Sequence, residues 1–144
     1  DAVVLPGFRR FFQLDSYNCG AISAFLILSY FGKARSFDNV ARELGTDEDG
    51  TSITAIRTLF EKRGLKVRRK NRGTLRDIRN AIDQDSPVLI CSAEGDHWAV
   101  VYGYSKGAWY VHDSAPYPRS AFCRWPSDKL RWFKHPNLYI VSRA

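Results

Sequence analysis

A cysteine, a histidine and a carboxylate in this chain have the types and positions needed for nucleophilic catalysis. Cys19 stands in Asn18-Cys19-Gly20-Ala21, just ahead of a run from Ala21 to Phe31 that is apolar almost all round and stops at Gly32. Such a run reads as a buried helix with a glycine end. A thiol at its N-terminus faces unpaired N–H groups and the positive end of the helix dipole, both of which favour thiolate over thiol. Gly20 would let a substrate backbone come close to the sulfur. The plainer alternative is an inert buried thiol, a common state of free cysteine.

A nucleophilic cysteine needs a base, and the base needs an orienter. His97 begins a strand after the polar turn Glu94-Gly95-Asp96, His112 lies inside the next strand, and His135 precedes Pro136 in a loop. If Tyr104 pairs with Ala108 across a turn of Ser105, Lys106 and Gly107, Ala99 lies opposite Asp113. His97 is then diagonal to Asp113 on the same face, and His112 points to the other. A two-residue turn would reverse this parity. In the resulting constellation His97 takes the thiol proton and later protonates the leaving amine. Asp113 accepts from the other ring nitrogen and fixes the tautomer. Alone, His97 would read as a surface histidine and Asp113 as a turn residue.

The surrounding pattern supplies the elements that must hold these residues. Ser36 can cap a second helix carrying Phe37, Val40, Ala41 and Leu44 and ending at Gly45. Asp47 to Gly50 is an acidic turn, after which Thr51 or Ser52 opens a third helix closed by Gly64. Leu65 and Val67 alternate with basic residues as a short strand, and Thr74 can cap a fourth helix with Leu75, Ile78, Ala81 and Ile82 buried. The period then changes. Strands are expected at Pro87–Ser92, Trp98–Tyr104, Ala108–Ser114 and Asn137–Ser142, with a loop at Pro116 and Pro118 and a short helix from Ser127 to Phe133. Helices first and an antiparallel sheet second make an α+β fold.

With 144 residues the chain fits one domain, 1–144, and its 44% hydrophobic and 26% charged fractions disfavour disorder and a membrane protein. No apolar run approaches the roughly 20 residues of a membrane span. The net charge of +7 is local: residues 57–79 hold ten basic side chains against two acidic ones, a net of +8. Such a stripe can attract an acidic partner, or form an ordinary solvated face. No zinc-finger, basic-zipper or RNA-binding motif accompanies it, so nucleic acid is disfavoured. Cys19, Cys91 and Cys123 are far apart and form no CxxC pair, so neither a structural metal site nor a disulfide framework is expected, and no cofactor. Cys91 reads as buried. A free thiol points to a reducing compartment such as the bacterial cytoplasm. The chain contains no methionine, as a fragment or a processed form would, so export is also compatible. The four tryptophans read mainly as core and sheet packing.

The stretch Gln13-Leu14-Asp15-Ser16-Tyr17-Asn18-Cys19-Gly20-Ala21, closed by Tyr30-Phe31-Gly32, resembles the double-glycine leader peptidase domains of bacteriocin-exporting ABC transporters. Asp96-His97-Trp98-Ala99-Val100-Val101-Tyr102-Gly103-Tyr104, followed by Asp113, fits as well, as does Asp49-Gly50-Thr51-Ser52. The resemblance implies a papain-like cysteine peptidase, with N-terminal helices packed on a C-terminal antiparallel sheet. It implies cleavage after small residues such as Gly-Gly, without a cofactor. It also gives Gln13 a role, because the family's oxyanion-hole glutamine falls there. Its amide and the Cys19 N–H would donate to the tetrahedral oxyanion. Asn18 stands where the family usually has Asp, and Ser114 where it has Pro after Asp113. No GxxxxGK[ST] phosphate loop is present. The same thioester chemistry would serve a deamidase or acyltransferase acting on a partner protein, and a third option is a non-catalytic leader-binding module.

Overall fold

The computed structural model describes residues 2–8, 19–92, 97–113, 122–133 and 137–144. Gln13, Asn18, Glu94, Gly95, Asp96, Ser114, Pro116, Pro118 and His135 lie outside them. Helix α1 spans Cys19–Tyr30 and buries nearly every side chain from Cys19 to Leu28, as its all-round apolar sequence requires. Cys19 lies within this helix rather than just ahead of it. Helix α2 (Phe37–Leu44) and helix α3 (Ile53–Lys62) are each opened by a serine. Ser36 Oγ accepts from the Asn39 N–H and Ser52 Oγ from the Ala55 N–H, both at 3.1 Å. Helix α4 (Leu75–Asp83) begins with a full capping box in which Thr74 and Asp77 satisfy each other's backbone N–H groups.

Among the described residues seven strands form one antiparallel sheet. They are β1 (Val3–Val4), β2 (Leu65–Asn71), β3 (Val88–Cys91), β4 (Trp98–Ser105), β5 (Ala108–His112), β6 (Phe122–Pro126) and β7 (Asn137–Arg143). The order is β2-β7-β3-β4-β5-β6, with β1 paired to the distal half of β4. Strand β1 comes so close that a Cβ on Gly103 would lie 2.8 Å from the Val3 carbonyl oxygen. Both β1 and β6 escape the sequence pattern. Helix α5 (Ser127–Phe133) follows β6 directly. Ser127 Oγ accepts from Trp109 Nε1 at 3.3 Å.

Alternation along the central strands sends side chains into two cores. Leu89, Val100, Tyr139 and Val141 pack with α1, α2 and α3 on one face. Val88, Ile90, Ala99, Val101, Leu138 and Ile140 pack on the other with Ile78, Ala81 and Ile82 of α4 and Leu130 of α5. Helices therefore cover both faces, α1, α2 and α3 on one and α4 and α5 on the other. Strand β2, from the helical half of the chain, completes the sheet at its edge. Among the described residues no helix is long and apolar enough to cross a membrane.

Candidate active site

The β4–β5 hairpin brings the histidine and the carboxylate together by an unexpected route. Ser105 pairs with Ala108, so the turn is Lys106-Gly107 alone and the parity at the tip is the reverse of that expected. A bulge between Val101 and Gly103 then shifts the register by one residue, giving Val101↔Val111 and Val100↔His112. Continued one step, this register sets Asp113 opposite Ala99. His97 Nε2 lies 2.5 Å from Asp113 Oδ1, a charge-assisted hydrogen bond across the ends of the two strands. His112 pairs with Val100, whose side chain faces α1–α3, and is buried.

Cys19 arrives from the helical layer. Its sulfur accepts a hydrogen bond from the Trp98 backbone N–H at 3.4 Å and a second contact joins its side chain to His97. With Nε2 on Asp113, Nδ1 is the ring nitrogen left to exchange a proton with the sulfur. Cys19, His97 and Asp113 are thus drawn together from a helix N-terminus, a strand start and a strand end.

Backbone bonds fix the histidine. Ser92 N donates to the His97 carbonyl at 2.7 Å, and His97 N donates to Ser92 Oγ at 3.2 Å. The Phe133 ring of α5 stands edge-on to the imidazole, centroids 5.7 Å apart. Burial is the largest single influence on His97 and pushes its pKa down. Hydrogen bonds to Asp113 and Cys19, with the charges behind them, together outweigh burial and hold it up at about 10. His112 shows burial winning: its pKa falls to about 4, the nearby Asp113 charge opposing only in part.

Gly20 also has a packing reason. A Cβ there would meet Thr51 Cβ at 3.0 Å and Trp98 Cδ1 at 3.1 Å, so the glycine lets α1 seat against Thr51, just ahead of α3, and against β4. Thr51 is in turn held to Thr46 by a 2.7 Å hydroxyl contact. Sequence reasoning missed Trp98 as the donor to sulfur, Ser92 and Phe133. The hairpin register could have pointed to Trp98; nothing local pointed to Phe133. Cys91 is buried, as expected from its apolar strand. Among the described residues no group of His, Cys, Asp and Glu could hold a metal ion.

Solved structures share this architecture along all or nearly all of the chain. The double-glycine motif protease of an AMS/PCAT transporter, solved with its leader peptide, superposes with a TM-score of 0.75 at 17% identity, covering 100% of this chain and 99% of that one. The peptidase domain of Streptococcus ComA, a bifunctional ABC transporter of a quorum-sensing pathway, gives 0.76 at 16% identity over 96% and 100% of the two chains. The fold is thus that of papain-like peptidase domains. The sequence model of the peptidase C39 family matches residues 8–121, and the chain belongs to that family of cysteine peptidases. It is 27% identical over 109 residues, 72% of its length, to the lactococcin-G-processing and transport ATP-binding protein LagD of Lactococcus lactis subsp. lactis, and spans 15% of that relative.

Proposed function

We propose that residues 1–144 form one peptidase domain that cleaves leader peptides after small residues of the Gly-Gly type, through a thioester on Cys19. The observation that supports this most is a single imidazole, His97, that meets both Asp113, at 2.5 Å, and the Cys19 side chain. The relatives add the substrate class: one was solved with a leader peptide, and another processes lactococcin G.

The nucleophile is the thiolate, and an imidazolium beside it is the partner a negative sulfur requires. Sγ of Cys19 attacks the carbonyl carbon before the scissile bond, and the carbonyl oxygen takes up the negative charge. The Cys19 N–H and the Gln13 amide donate to that oxyanion; losing one such donor typically costs about 10²–10³ in kcat. His97 gives its proton to the leaving amine as the C–N bond breaks, which leaves the thioester. It then takes a proton from water, whose oxygen attacks the thioester carbonyl and releases the acid. Asp113 keeps the imidazole oriented and offsets its charge throughout. A thiol nucleophile of this kind suits a reducing compartment, the bacterial cytoplasm.

The test is incubation of the chain with a leader peptide ending in Gly-Gly joined to a short cargo. The wild type should yield two fragments cut after Gly-Gly, and Cys19→Ala and His97→Ala should yield none. Fragments from Cys19→Ala would remove Cys19 from the reaction. An intact partner carrying the mass gain of deamidation would replace the peptidase reading with amide hydrolysis on a side chain.

A further inference from the structure

Five basic residues crowd one short stretch that the peptidase reaction does not use. Lys66, Arg68, Arg69 and Lys70 lie on β2 and Arg72 in the turn that follows it. Strand β2 ends the sheet, with β7 on one side and no strand on the other among the described residues. Alternate residues of an antiparallel edge strand direct N–H and C=O groups away from the sheet, a template for one more strand. Lys66, Arg68 and Lys70 alternate on one side of it, and all but the half-buried Lys70 are exposed.

Few carboxylates oppose this charge. Among the described residues Asp77 alone forms an ion pair with the array, to Lys70 at 3.8 Å, and Asp77 is already engaged in capping α4. Lysine on an edge strand commonly blocks aggregation, but one or two charges serve that purpose. Five leave an excess that an opposite charge would neutralise.

From these features we infer that β2 is a docking edge for an extended acidic segment of a partner protein, which joins the sheet as an added strand. Its main chain would pair with the free edge, and its carboxylates at alternate positions would face Lys66 and Arg68. Nucleic acid fits less well, because residues 66–72 carry no aromatic ring on which a base could stack. The edge is separated from β4, which starts at the active site, by β7 and β3. Docking therefore leaves the candidate active site open, and the inference is independent of the peptidase proposal.

The probe is a short fluorescent peptide alternating Glu and Thr, titrated onto the chain and followed by anisotropy. Three controls accompany it: the same peptide N-methylated at alternate residues, a single-stranded oligothymidine of equal charge, and the variant Lys66→Glu/Arg68→Glu. The peptide should bind with an affinity that falls as salt rises. N-methylation, which keeps the charge and removes main-chain donors, and the charge reversal should each weaken binding by about tenfold. Thermal melting checks that the variant folds, and Lys66→Gln/Arg68→Gln, which keeps long side chains, should weaken binding in the same direction. Absence of binding at low salt, equal binding of the N-methylated peptide, or tighter binding of the oligothymidine would each overturn the inference.

Discussion

His97 is drawn in two directions, and the outcome decides its role. Burial favours the neutral ring, while Asp113 and Cys19 favour the cation and prevail, with a pKa of about 10. A histidine whose folded pKa lies above its unfolded value, about 6.5, adds stability that is complete below the unfolded pKa. That stability is lost as pH rises through about 10. The same proton is the one given to the leaving amine, so the alkaline limb of kcat/KM should follow it. Asp113→Asn removes the hydrogen-bonded charge and leaves burial in place. We predict that its alkaline limb moves to lower pH and that kcat falls by about 10²–10⁴, the range of a positioned acid–base group. A pH–rate profile of the two proteins checks this; an alkaline limb unmoved by the substitution would separate Asp113 from the imidazole.

The elements matter because each delivers one group to the end of the sheet. Helix α1 carries Cys19, and its seat depends on Gly20 fitting between Thr51 and Trp98. Gly20→Ala forces those neighbours apart by a few tenths of an ångström, and Trp98 also donates the N–H that meets the sulfur. Overpacking of this kind costs roughly 1–3 kcal/mol. Gly20→Ala should therefore lower both the urea midpoint and kcat, and Thr51→Ala added to it should recover part of each; no recovery would show that the clash lies elsewhere. Much of this arrangement was legible in the sequence. Ser36, Ser52 and Thr74 marked helix starts because short polar side chains bind their own local N–H groups, and the apolar run after Cys19 marked α1. The Cys19, His97 and Asp113 convergence was legible too, but the parity argument reached it through a wrong turn. The two-residue turn and the bulge cancel; Gly103, a glycine inside a strand beside the bulge, signals an irregularity but not the direction in which it shifts the register. Strands β1 and β6 were illegible for a related reason. Val3 and Val4 are too few to show a period, and β1 exists because Gly103 admits it.

Across the whole molecule, two cores clamp one sheet, and the site forms where strands leave it. His112 lies within that sheet with 1% of its surface exposed, and burial holds its pKa down at about 4. A folded pKa below the unfolded value near 6.5 means that the unfolded chain binds more protons as pH falls. Stability from keeping His112 neutral is thus present above about 6.5 and is lost as pH drops toward about 4. Its size is on the order of 3 kcal/mol. Urea midpoints measured from neutrality to pH 4 should fall steeply in the wild type. They should fall less in His112→Asn, even though that variant starts lower; parallel slopes would assign the acid sensitivity to other groups. The peptidase account as a whole rests on covalent attack by one cysteine of three. Its most direct test is rapid acid quenching of the chain with a Gly-Gly leader peptide, followed by mass mapping of Cys19, Cys91 and Cys123. The account predicts a transient leader thioester on Cys19 in the wild type and none in Cys19→Ala. A thioester on another cysteine, or cleavage that continues in Cys19→Ala, would contradict it.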